Sequence, residues 1–157
     1  MNTTDDMRRA PVPLDQCSVA RTLALIGDHW TLLILREAFY GVSRFEAMHA
    51  DLAVPRSILS QRLRALVEHG IMQRTPYRVT GQRKRFAYEL TVKGQALLPV
   101  LIALMEWGDQ FALVKETPAL VLSHTECGAH ASVQIVCANG HRISQVHELT
   151  GKIDLPE

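Results

Sequence analysis

The stretch SRFEAMHADLAVPRSILSQRLRALVEHG, residues 43–70, decides the fold. Ser43 followed by Glu46 three residues on has the spacing of a capping box, which opens a short helix carrying Phe45, Met48 and Leu52. Ala53-Val54 is a brief turn. Pro55 suits the first turn of a second helix running from Arg56 to about His69, and Gly70 ends it. At about 100° per residue, Leu59, Leu63, Leu66 and Val67 fall on one stripe of that helix and face a core. The opposite side carries Ser57, Gln61 and Arg64, flanked by Arg56, Ser60 and Arg62. Glu68 shares the outer face at the far end. A short helix, a tight turn and a longer helix of this polarity make a helix-turn-helix, whose second helix enters the major groove of DNA.

Past Gly70 the period changes from helix to strand. Ile71–Thr75 is one run and Phe86–Thr91 the other, with Phe86, Tyr88 and Leu90 alternating against smaller or polar residues. The loop between them, Arg78 to Arg85, is strongly basic and reads as a wing. Upstream, Cys17–Ile26 has apolar residues at helical spacing and is closed by Gly27. Asp28 caps a further helix that runs to Tyr40 and stops at Gly41. Downstream, Thr91 caps a long helix reaching about Leu113, with Pro99 marking a mild kink or a late start. From Ala96 to Trp107 this helix is apolar almost all round, so it needs partners on two sides. A second copy of the chain is the simplest source of the second side. The expected architecture is mainly α with a small β-hairpin wing: a dimeric winged helix-turn-helix followed by a short β-rich appendage. The expected boundaries are a flexible tail at 1–14, the DNA-binding and dimerisation domain at 15–114, and the appendage at 117–157.

Charge agrees with this reading. The window Arg56–Arg85 holds eight basic side chains against Glu68 alone, a net +7. The whole chain carries only +1, so the remainder sums to −6. A basic block on a near-neutral protein is the footprint of a polyanion partner; the alternative is a solvated charged face. Gln61 and Arg64 are the residue types that pair bidentately with adenine and guanine edges. Arg56 and Arg62 suit phosphates, Ser57 near the helix start can reach a phosphate or a base, and Ser60 at the flank belongs to the same DNA-contacting set. Arg78, Arg83, Lys84 and Arg85 on the wing suit phosphate or minor-groove contacts, with Arg85 also able to lie along the sheet. Arg44, at the start of the short helix, completes the expected DNA-contacting set. No apolar run approaches the roughly 20 residues that a membrane span requires, and the acidic start MNTTDDMRRAP is no secretory signal. Three cysteines are too few and too odd for a disulfide framework, which points to a reducing, cytoplasmic compartment.

Cys17-Ser-Val-Ala-Arg-Thr-Leu, Ile26-Gly-Asp-His-Trp30-Thr-Leu-Leu-Ile-Leu-Arg36, Arg44-Phe45-Glu46 and Leu59-Ser-Gln-Arg-Leu-Arg-Ala-Leu66 resemble the HxlR-type winged-helix regulators. So do His69-Gly70-Ile71, Tyr88-Glu-Leu-Thr91, Gly94 and Leu97-Leu-Pro-Val-Leu101 with Trp107-Gly108. The resemblance covers about residues 16–112. It implies a bacterial or archaeal transcription regulator that dimerises through its first and last helices. Some members of that family sense electrophiles or oxidants through a cysteine just before the first helix, and Cys17 occupies the matching position. A thiol at a helix N-terminus near Arg21 has its thiolate favoured. The competing reading of Cys17 is a small packed hydrophobe.

The appendage offers His124-x2-Cys127 and Cys137-x3-His141 as four ligands for zinc, with His130 as a spare. Relatives often carry a Cys-x2-Cys pair near this place, and here one such thiolate is missing. The competing reading is a metal-free β-rich unit, and no cofactor is required by the main function. An enzyme is not expected: there is no phosphate-binding glycine loop, no Gly-x-Ser-x-Gly elbow and no His-Glu-x2-His pair. The rival function is a winged-helix protein-interaction module that does not bind DNA.

Overall fold

The computed structural model describes residues 12–78, 84–112, 118 and 120–151. The chain divides into two compact units, residues 22–117 and residues 1–21 with 118–157. The division falls inside the first helix, α1 (Ser18–Ile26), which the sequence reading had kept whole within one domain.

In the larger unit, α1 ends at Gly27, where a Cβ would stand 2.5 Å from the Leu23 carbonyl oxygen. α2 (His29–Phe39) starts as expected: the Asp28 carboxylate accepts from the Thr31 amide at 3.2 Å. It stops before Gly41, whose φ of +84° is open to glycine but strained for other residues. α3 (Phe45–Leu52) starts differently from expectation. Its N-cap is Arg44, with no side-chain capping bond, so the Ser43–Glu46 capping box does not form. The segment before α3 is instead extended and bonded to the wing through an isolated bridge. The Tyr88 amide donates to the Ser43 carbonyl at 2.7 Å, and Arg44 bridges Ala87 in antiparallel fashion. The Glu46 carboxylate turns to Arg56.

Ala53, left-handed at φ +50°, makes the turn, and α4 (Arg56–Glu68) follows Pro55. The wing strands β1 (Met72–Tyr77) and β2 (Arg85–Leu90) pair antiparallel from Met72↔Leu90 to Tyr77↔Arg85. The hairpin is therefore longer than the sequence runs suggested. Thr91 does cap the next element, accepting from the Gly94 amide at 3.2 Å. That element is not one long helix. A single turn, α5 (Val92–Gln95), gives way to Ala96 and Leu97 before α6 (Leu98–Trp107), which runs into a π turn at Gly108–Ala112. Pro99 explains the break. Proline has no amide to donate, so the bond that would run back to the Gln95 carbonyl cannot form and the helix restarts with Pro99 in its first turn. The junction is held by shorter-range bonds, Leu97 N–H to Gly94 and Val100 N–H to Leu97, both 3.0 Å.

The core is built from Ile26, Ile34, Leu35, Met48, Val54, Leu59, Leu63, Leu66, Ile71 and Met72. Leu97 and Leu101 pack partly against it, but no residue of α6 is fully buried. Leu98, Val100, Leu104, Trp107 and Phe111 stay exposed. Among the described residues no helix is long and apolar enough to cross a membrane.

The smaller unit contains a two-stranded sheet, β3 (Ile135–Val136) against β4 (Arg142–Ile143), an isolated bridge between Ser123 and His130, and a 3-10 turn at Val146–Glu148. Within it Cys17 is half-buried and its amide donates to the Pro13 carbonyl at 2.9 Å.

Candidate nucleic-acid interface

The exposed face of α4 follows from its buried one. Leu59 and Leu63 are fully buried and Leu66 nearly so, which fixes the rotation of the helix about its axis. Ser57, Ser60, Gln61 and Arg64 are then exposed together, at the i, i+3, i+4, i+7 spacing of one helix face. The outer face expected for Ser57, Gln61 and Arg64 is thus exposed, and Ser60, expected at its flank, is exposed with them. The far end of α4 is tied down: Lys93 Nζ donates to the His69 carbonyl at 2.7 Å, and Thr91 Oγ1 donates to the Gly70 carbonyl at 2.7 Å.

The remaining arginines are arranged in three ways. Arg56 is exposed and makes a two-pronged hydrogen bond to Glu46, with Nη1–Oε1 at 3.0 Å and Nη2 on the other oxygen. That bond holds the Glu46 carboxyl below its ordinary range and raises the Arg56 guanidinium above its own. Arg62 turns away from the outer face. It is half-buried, and its Nη2 lies 3.0 Å from Asp28 Oδ2. Other cations lie on aromatic rings. The Arg44 guanidinium sits 4.9 Å from the Tyr77 ring centre, and Arg74 sits 3.7 Å from that of Phe86, with Lys84 Nζ at 5.7 Å on the same ring. Such contacts contribute about 0.5–1 kcal/mol each at exposed sites, and they hold flexible side chains at a defined place. Arg78, Lys84 and Arg85 are exposed, and Arg83 lies outside the described residues.

An open depression lies between α3, the start of α4 and the wing, lined by Phe45, Glu46, Arg56, Tyr77, Arg85 and Tyr88. Reading the sequence had singled out the cations but missed their carriers, Asp28, Tyr77 and Phe86. The ring carriers had a signal. In an antiparallel pair, residues diagonal on one face are within reach of a long side chain, and Arg74 and Phe86 stand in that relation. The Asp28–Arg62 pair spans 34 residues and no local pattern announces it.

In the smaller unit, His124 Nδ1 lies 3.3 Å from Cys127 Sγ, while the Cys137 amide donates to the His141 carbonyl at 3.0 Å. Among the described residues no three His, Cys, Asp or Glu side chains gather into a metal site.

Comparison with known proteins places this geometry. Residues 25–116 match the HxlR-like helix-turn-helix model. An HTH-type transcriptional regulator of Mycobacterium tuberculosis is 45% identical over 122 residues, covering 78% of this chain and 76% of the relative. One from Synechocystis sp. is 33% identical over 96 residues, covering 60% of this chain and 70% of its own. Among solved structures, PA1607, described as a transcription factor, superposes with a TM-score of 0.78 at 34% identity over 88% of this chain and 95% of that one. The redox regulator HypR in its reduced form gives 0.56 at 27% identity, over 62% and 96%. The family model and the relatives converge on residues that form the winged helix-turn-helix, and the chain belongs to the HxlR-like helix-turn-helix family of DNA-binding transcriptional regulators.

Proposed function

We propose that the chain acts as a homodimer that reads an inverted repeat in double-stranded DNA, with α4 in the major groove and the wing along the backbone. The observation that carries this reading is the exposed row Ser57, Ser60, Gln61 and Arg64 above the buried Leu59, Leu63 and Leu66. Gln61 and Arg64 are assigned to base edges, and Arg78, Lys84 and Arg85 to phosphates. The dimer reading is supported by α6, whose Leu98, Val100, Leu104 and Trp107 are exposed, and by the exposed Val19 and Leu23 of α1. Large exposed apolar side chains grouped on one helix mark interaction surfaces.

The test is a gel shift against fragments of the source genome, followed by footprinting of the retarded fragment. The expected footprint is two-fold symmetric, with half-sites about one helical turn apart or a multiple of it. Absence of retardation at low salt overturns the reading in favour of a winged-helix protein-interaction module.

A second reading concerns the signal. Cys17 is a free, half-buried thiol immediately before the first residue of α1, and HypR, to which the chain is similar, is described as a redox regulator. On this reading an electrophile or oxidant acts at Cys17. It predicts that Cys17→Ser binds DNA as the wild type does but no longer responds to diamide.

A further inference from the structure

Arg62 lies on the helix assigned to DNA reading, next to Gln61 and two residues before Arg64, yet its side chain does not join theirs on the exposed face. Nη2 is bound to Asp28 Oδ2 at 3.0 Å, and Nε is buried with no hydrogen-bond partner among the described residues. The same Asp28 carboxylate uses its other oxygen, Oδ1, to accept from the Thr31 amide at 3.2 Å and the Thr31 hydroxyl at 3.4 Å. One carboxylate thus fixes two things at once: the first turn of α2, and the middle of α4. It sits directly after Gly27, whose amide closes the end of α1 on the Leu23 carbonyl at 2.7 Å.

We infer that Arg62 is a positioning residue for DNA recognition, and that its ion pair with Asp28 sets the pose of the outer face of α4 relative to the α1–α2 corner. The inference rests on the reading that α4 enters the major groove. A buried leucine stripe fixes rotation about the helix axis but resists sliding along that axis weakly, because leucines one turn apart present similar shapes. A directional bond from mid-helix to a capped helix start resists sliding. Base readout depends on such constraint, because a displacement of about 1 Å in a supporting shell is enough to spoil a recognition geometry.

The rival role for Arg62 is a phosphate contact, and the two roles predict opposite signs. If Arg62 neutralised a phosphate, removing the Asp28 charge would release it and tighten DNA binding. If it positions α4, the same change weakens recognition although the protein becomes more positive. The experiment measures affinity for the footprinted operator and for a scrambled duplex as a function of salt, in wild type, Asp28→Asn, Arg62→Met and the double variant. The Asn side chain still accepts from Thr31, so the cap persists, and thermal melting checks that each variant is folded.

The expected result is a drop of about tenfold in the operator-to-scrambled ratio for both single variants, with little further loss in the double variant, as coupled partners require. The salt slope stays at the wild-type value. Tighter binding by Asp28→Asn, or a slope lowered by about 0.9 in Arg62→Met as expected for one lost phosphate contact, overturns the inference. Wild-type protein that binds neither duplex at low salt overturns the DNA-reading role of α4 instead.

Discussion

Arg64 and Lys84 are both exposed cations, but they stand on different supports. Arg64 rises from a helix face locked by buried leucines, whereas Lys84 leaves the end of a hairpin and rests over Phe86. Replacing Arg64 with Ala is expected to weaken operator binding by about 1–3 kcal/mol and to relax base preference at one position. Lys84→Ala is expected to weaken all sequences alike and to lower the salt slope by about 1. Binding titrations on an operator and its single-base variants separate the two. Glu46 supplies a third case. Its carboxyl is held low by the hydrogen bond from Arg56, so the clamp is intact above the ordinary carboxylate range and lost as pH falls through the lowered value. Near neutral pH it stays closed. Glu46→Gln is therefore expected to release Arg56, raise affinity for every duplex and steepen the salt slope; unchanged affinity would show that Arg56 does not meet DNA. At this scale the outward row was legible in the sequence, because a 3.6-residue period alone separates Gln61 and Arg64 from Leu59 and Leu63. The partners of Arg62 and Arg44 were not, since they are made by contacts between distant elements.

At the scale of elements, the short and long helices around Pro55 and the hairpin were readable because local chemistry and tertiary packing agree there. They disagree at two places. Ser43 and Glu46 have capping-box spacing, but the extended backbone at Ser43–Arg44 is bonded to β2 by a single bridge, which outweighs a local cap. The expected single long helix is split because Pro99 cannot donate a backbone bond. Gly94 is also pressed against β1's entry, where a Cβ would lie 2.2 Å from the Ile71 carbonyl oxygen. Backbone cannot yield as a side-chain tip can, so Gly94→Ala is expected to destabilise the fold by about 1–3 kcal/mol, read from denaturant unfolding. On α6 the exposed Leu104 and Trp107 are the positions to test for assembly. The double change to Asp is expected to halve the mass seen by light scattering, from two copies of the 17.6 kDa chain to one, while helical content is kept.

For the whole molecule, charge is segregated rather than large. A window of +7 in a chain of +1 concentrates positive charge along the helix-turn-helix and wing without making a strongly basic protein, even with Arg56 and Arg62 paired to Glu46 and Asp28. Association is expected to slow and affinity to fall steeply between low and physiological salt, measured by stopped-flow and equilibrium titration. The composition made this visible at once. The division of the chain was less visible. Residues 1–21 group with 118–157, and nothing in the local pattern around Ser18–Ile26 signals a boundary inside a helix.

The bonds from Thr91 and Lys93 to the Gly70 and His69 carbonyls, just past the end of α4, have a mechanical consequence. They weld the reading head to the root of the arm that leads into α6. In a two-fold assembly joined through α6, the spacing of the two heads would then be set by the one remaining break between them and the seam, Ala96-Leu97 between α5 and α6. Adding one base pair between half-sites moves one of them by about 3.4 Å and turns it by about 35°. A jointed arm would absorb that step; a welded one would let only one head engage at a time.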